Sequence, residues 1–238
     1  MRTNLYRAQQ KNGGIKMSFN EFINKLNKKD RENFYRYSKI RGVQSYKIIY
    51  YSLNKISDGF SYRDINSFIK YDKALKDVLY TYLGSLEEYI KVYVFANYDF
   101  EANVAHNKDS YLYFKDLPKT INVKNNDNEI TELYKRSSLT LGGLIEFLDY
   151  HNDKTFDIEK LKKVKFLRND VMHHSPLIFD CNYNSKVDVV NDRIQSLIDI
   201  LPKEYIGLSI EINKLTTKTI GNINACFKEF VLKEFKGK

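Results

Sequence analysis

The sequence predicts an all-α fold. Three Pro and ten Gly in 238 residues leave long uninterrupted stretches, which suit helices better than a many-turned β sandwich. Apolar residues recur at three- and four-residue steps in one segment after another. Two of those segments open on capping boxes, Ser18-Phe19-Asn20-Glu21 and Ser61-Tyr62-Arg63-Asp64. Hydrophobic residues make up 42% of the chain, and 19 Tyr and 15 Phe supply the bulk that a protein without Trp needs for a core.

Residues 1–17 are polar, carry the Gly13-Gly14 pair and read as a flexible basic arm, leaving a single helical domain over 18–238. Ser18 starts a helix with Phe22, Ile23 and Leu26 on one side. Ser61 starts another, with Ile65, Phe68 and Ile69 as its apolar stripe. From about Asp72 to Asn97 the apolar positions Leu75, Val78, Leu79, Tyr82, Leu83, Leu86, Ile90, Val94 and Phe95 give the longest periodic run, which predicts a central helix. The pattern then breaks into an irregular insertion around 98–136, marked by Pro118 and Asn125-Asn126-Asp127-Asn128. It resumes over Leu139 to Tyr150. Asp157 caps the next helix, whose apolar face is Ile158, Leu161, Val164, Leu167 and Val171 and which Ser175-Pro176 ends. Further helices are expected near Val187 to Leu201, Lys203 to Leu215 and Ile220 to Phe235.

The net charge of +9 sits entirely at one end. Through Lys47 there are twelve Lys and Arg against Glu21, Asp30 and Glu32, while the remainder is neutral. A basic region on a neutral body fits a binder of phosphate backbones. Within it Lys25, Lys28, Lys29, Arg31, Lys39 and Arg41 surround Tyr35-Arg36-Tyr37, an interleaving of rings and cations that favours single-stranded RNA. No run is apolar enough to span a membrane, and the opening residues lack the apolar core of a signal peptide, so a cytoplasmic protein is expected. Cys181 and Cys226 are isolated, and no metal-ligand spacing occurs. Neither a metal nor a cofactor is therefore expected.

The segment Phe166-Leu167-Arg168-Asn169-Asp170-Val171-Met172-His173-His174 holds two of the four histidines. His106 and His151 lie in polar surroundings and read as solvent-exposed. A permanently charged guanidinium and an imidazole that titrates near neutrality are the groups needed to break a phosphodiester without a metal. At 100° per residue, Arg168 and His173 stand about 140° apart around a helix, so one helix does not aim both at one phosphate. Asn169 and His173 do share a face. A second copy related by a two-fold axis would bring both residue types around one groove.

Leu167-Arg168-Asn169, followed after three residues by His173-His174-Ser175, resembles the bacterial abortive-infection proteins of the Abi-like family, AbiD and AbiF type, in the HEPN superfamily of helical ribonucleases. Val171 and Met172 stand where family members carry small residues, and Ser175-Pro176-Leu177 where an Arg is common. Leu86-Glu87-Glu88-Tyr89-Ile90-Lys91 looks like the family's upstream helix, with Glu87 and Lys91 in the places of a structural ion pair whose basic member is commonly Arg. The resemblance implies a HEPN-like helical bundle with additional N- and C-terminal helices, a homodimer and an endoribonuclease toxin of anti-phage defence. It also implies a cognate small noncoding RNA as a regulatory partner.

The expected reaction is attack of the ribose 2′-hydroxyl on the neighbouring phosphorus, leaving a 2′,3′-cyclic phosphate. His173 would serve as acid or base, Arg168 would stabilise the phosphorane charge, and Asn169 would orient the imidazole or the substrate. His174 is a second acid or base candidate, or else contacts RNA or caps the helix. The competing expectation is a catalytically inactive RNA-binding or antitoxin-like helical module.

Overall fold

A computed structural model describes residues 17–57, 59–98, 140–205 and 207–237. The protein is all-α: eight α-helices and two 3-10 turns account for most of the described residues, and these contain no named strand. The helices are α1 (Phe19–Lys25), α2 (Lys28–Arg41), α3 (Val43–Asn54), α4 (Tyr62–Asn97), α5 (Leu141–Tyr150), α6 (Ile158–Met172), α7 (Val187–Ile200) and α8 (Gly207–Ile220). The N-terminal arm through Lys16 and residues 99–139, which hold nearly all of the expected insertion, lie outside the described residues.

The caps read from sequence are formed. Ser18 accepts from the Glu21 N–H and receives the Glu21 carboxylate on its own N–H, and Ser61 and Asp64 repeat the exchange. Between α2 and α3 the chain turns at Gly42, whose φ of 78° lies in the left-handed region that glycine enters without penalty. That turn folds α3 back and buries Tyr46, Ile49, Tyr50 and Leu53.

The central axis is α4, 36 residues long, and its Leu75, Leu79, Leu83, Leu86, Ile90 and Val94 are completely buried. Each such side chain stabilises the fold by about 1.5–3 kcal/mol through water release. Helix α8 packs along α4, α7 packs along α6, and α3, α5 and α6 close on the remaining faces of α4. Among the described residues, no helix is long and apolar enough to cross a membrane.

Two expectations are corrected. The helix starting at Ser61 and the one expected from about Asp72 are a single helix, because nothing between Ile69 and Leu75 breaks the backbone and Tyr71 is itself buried. The helix expected over Ile220 to Phe235 is instead a 3-10 turn at Ala225–Phe230 followed by extended chain. There the Asn213 carboxamide donates to the Phe235 carbonyl (2.8 Å) and accepts from its N–H (2.9 Å). The Tyr71 hydroxyl takes the Leu232 N–H at 3.3 Å. Side chains thus satisfy backbone groups that a helix would have paired internally.

Candidate active site

Helix α6 carries the motif. Asp157 accepts the Lys160 N–H at 3.1 Å and starts it. Leu161, Val164, Leu167 and Val171 bury one face, so the intervening positions point Arg168, Asn169 and Asp170 towards its edges, where all three are half-buried.

Its C-terminus is a Schellman motif. The His174 N–H donates to the Val171 carbonyl (3.1 Å) and the Ser175 N–H to the Asp170 carbonyl (2.9 Å). The residue that must turn left-handed is His174, with φ of 55°. Glycine normally holds that place, and a side chain there is strained. Both motif histidines are exposed.

The turn is clamped from two sides by residues that the sequence did not single out. On α4, Asp72 accepts the Leu177 N–H at 2.6 Å and is ion-paired with Lys76, whose ammonium also reaches the His174 carbonyl at 3.3 Å. On the other side, Asp170 takes Lys186 at 3.0 Å and Arg193 at 2.9 Å. Lys186 donates further to the Pro176 carbonyl at 3.1 Å, and the Arg193 guanidinium lies 5.4 Å from the ring centroid of Phe166. Asp170 stands inside the motif, but its partners come from elsewhere, so only its position could have drawn attention.

Arg168 reaches back to α4. Its Nη2 lies 3.4 Å from Glu87 Oε2, while Lys91 Nζ lies 3.2 Å from Glu87 Oε1. One carboxylate therefore serves two cations, leaving a local excess of one positive charge. The Arg168 side chain keeps 29% of its exposure, against 16% for Glu87. No contact among the described residues joins Arg168 to His173, in keeping with their angular separation.

The basic segment forms α2 together with Lys25 at the end of α1. Lys25, Lys28, Lys29, Tyr35, Arg36 and Lys39 are exposed, whereas Arg31, Tyr37 and Arg41 are half-buried. Two guanidinium groups lie near the Tyr37 ring centroid, Arg36 at 5.8 Å and Arg41 at 5.3 Å. Only the C-terminal end of α2 borders the motif: Ile40 and Arg41 share a cavity wall with His174. Lys28 and Lys29 lie about 20 Å further along the helix.

His151 differs from its expected exposure, packing against Phe147 at 4.4 Å and Tyr98 at 5.0 Å with its Nε2 buried. His106 lies outside the described residues. Beside His151, Asp153 accepts hydrogen bonds from the Tyr98 and Tyr93 hydroxyls and from the Thr155 N–H. Burial pushes the Asp153 carboxyl up, but these bonds outweigh it and hold its pKa below the usual range. The Tyr98 hydroxyl is pushed well up by burial and by the carboxylate it faces. Cys181 and Cys226 are exposed free thiols. No family model, curated protein or solved structure matches the chain.

Proposed function

We propose that the protein is a metal-independent endoribonuclease that acts as a toxin in bacterial anti-phage abortive infection. In this reading two copies associate so that Arg168 and His173 of each face one groove. An imidazole removes the proton from a ribose 2′-hydroxyl, whose oxygen bonds to the adjacent phosphorus. The P–O5′ bond breaks and the departing 5′-oxygen takes a proton from the imidazolium of the second copy, giving a 2′,3′-cyclic phosphate and a 5′-hydroxyl. Arg168 stabilises the charge that grows on the phosphoryl oxygens. Asn169 lies on the His173 side of the helix and orients imidazole or substrate. A cognate small noncoding RNA seated on α2 would restrain or guide the enzyme.

The supporting observation is the presentation of the motif: two exposed histidines on a doubly clamped turn, with a half-buried guanidinium on the same helix whose carboxylate partner is shared with Lys91. The test incubates wild type, Arg168→Ala and His173→Ala with single-stranded RNA in excess EDTA. Cleavage by the wild type alone, with cyclic phosphate ends, is the expected result. Cleavage surviving both substitutions, or abolished by EDTA in the wild type, sinks the proposal.

One observation favours a second reading. The Glu87 contact occupies part of the Arg168 guanidinium, which suits a catalytically inactive RNA-binding or antitoxin-like module. Equal RNA retention by all three proteins, with no cleavage by any, would select it.

A further inference from the structure

We propose that the cavity beside the motif turn is a nucleotide-binding site, holding a nucleobase on its floor and a phosphate at its rim. The assignment rests on the RNA-directed reading of the motif and deepens it by naming where one nucleotide is held.

The cavity has a volume of about 370 Å³, within the range of small-molecule sites. Its floor is apolar: Ile49, Ile69, Ile178, Phe68 and Phe179 are packed beneath it, the two rings edge to face at 5.5 Å between centroids, and Ile40, 77% exposed, stands in its wall. Its rim takes in Arg41 from the end of α2, Lys73 and Lys76 from α4, and His174 from the motif turn; Arg41 Nη1 is buried and Lys76 is paired with Asp72, so Lys73 is the accessible cation there.

The one carboxylate there, Asp72, has both oxygens committed, one to Lys76 and the other to the Leu177 N–H. Lys73 is exposed and has no carboxylate partner among the described residues. An apolar floor below surplus positive charge fits a ligand with a flat apolar body and an anionic end. A nucleobase that enters the cavity buries apolar area against this lining and Ile40, and its phosphate neutralises Lys73. His174 on the same rim places the bound nucleotide next to the motif.

The shared chemistry, base plus phosphate, has two sources: a nucleotide within a bound RNA strand or a free nucleotide acting as effector. Titration of the full-length chain with the four nucleoside 5′-monophosphates, with ribose 5-phosphate and dodecanoate as controls, tests the site. At least one monophosphate is expected to bind about 5- to 100-fold more tightly than ribose 5-phosphate, the span that burial of the base's apolar area provides. Lys73→Glu, on an exposed position that leaves the fold intact, is expected to weaken binding about tenfold and flatten its salt dependence. Ser45→Leu, which fills the cavity from α3, is expected to block binding while its thermal unfolding stays cooperative.

Competition by an uncleavable 2′-O-methyl hexanucleotide would support the site and assign it to a strand. Binding without competition would support it and assign a free nucleotide. Monophosphates no tighter than ribose 5-phosphate, dodecanoate as tight as any nucleotide, or a Lys73→Glu protein that binds like wild type would overturn the proposal. Nucleotide binding by a wild type that never cleaves RNA overturns the ribonuclease reading and leaves this site standing. RNA cleavage without nucleotide selectivity overturns this site alone.

Discussion

Glu87 on α4 and Arg168 on α6 meet at 3.4 Å, and the other oxygen of the same carboxylate meets Lys91 at 3.2 Å. All three side chains are largely shielded from solvent, and Arg168 Nε is buried without a partner. Removing the negative charge leaves two cations facing each other in a partly dry site. Glu87→Gln, which keeps shape and removes charge, is expected to lower stability by about 1–2 kcal/mol, less than for a fully buried pair because the groups retain some solvent. On the proposed ribonuclease reading, cleavage should fall at least about tenfold as the guanidinium loses its orientation. Thermal unfolding and single-turnover cleavage check both. An unchanged melting temperature with unchanged cleavage would remove Glu87 from any role in holding Arg168.

His174 occupies the left-handed position of the helix terminus, where L side chains are strained. Its ring is exposed, so little packing offsets that strain. His174→Gly is expected to raise stability by about 0.5–1 kcal/mol, the relief of about 1–2 kcal/mol exceeding the entropy that glycine adds to the unfolded chain. In a chain of this size that is about 1–4 °C in melting temperature. A lower melting temperature in the variant would show instead that the imidazole makes a stabilising contact.

The legible parts of the structure are those whose causes are local. Ser18, Ser61 and Asp157 cap helices through partners three residues away, and the α6 apolar face follows from spacing alone. The motif is visible for the same reason. Its clamps are not, since Asp72 meets Leu177 across 105 positions and Asp170 draws on Lys186 and Arg193 of another segment. Continuity of α4 is hidden by Lys70, Asp72 and Lys73 around Tyr71, whose burial depends on Thr216 and Leu232. The C-terminal tail misleads most. Phe227, Phe230, Val231 and Phe235 are all buried, and their spacing suits a helix, yet Asn213 and Tyr71 pair with the backbone and hold it extended.

Asp153 gives a pH dependence of known sign. Its folded pKa is depressed by hydrogen bonds from Tyr98, Thr155 and Tyr93 that outweigh burial. A depressed carboxyl stabilises the fold above its unfolded pKa of about 3.9 and loses that contribution as pH falls through the lower folded value. The melting temperature of the wild type should therefore exceed that of Asp153→Asn at pH 7, and the difference should shrink as the pH is lowered through about 4 towards 2. A difference constant over that range would mean that the carboxylate charge contributes nothing.

Charge reversal on α2 separates binding from chemistry. Lys28 and Lys29 are exposed and Arg31 half-buried, near the start of the helix and far from the motif turn. On the proposed RNA-directed reading, their contribution to a bound strand would be the release of counterions, which carries no sequence information. Replacing all three by Glu should weaken RNA binding at low salt and reduce the slope of log affinity against log salt by about 0.7 for each phosphate that is no longer neutralised. The cleavage rate of fully bound RNA should be unchanged, because none of these side chains approaches Arg168 or His173. Affinity measured at three salt concentrations, with single-turnover cleavage at saturating protein, reads both quantities. An unchanged slope would reduce the basic segment to a solubilising surface, and a lost rate at saturation would place α2 in the chemistry itself.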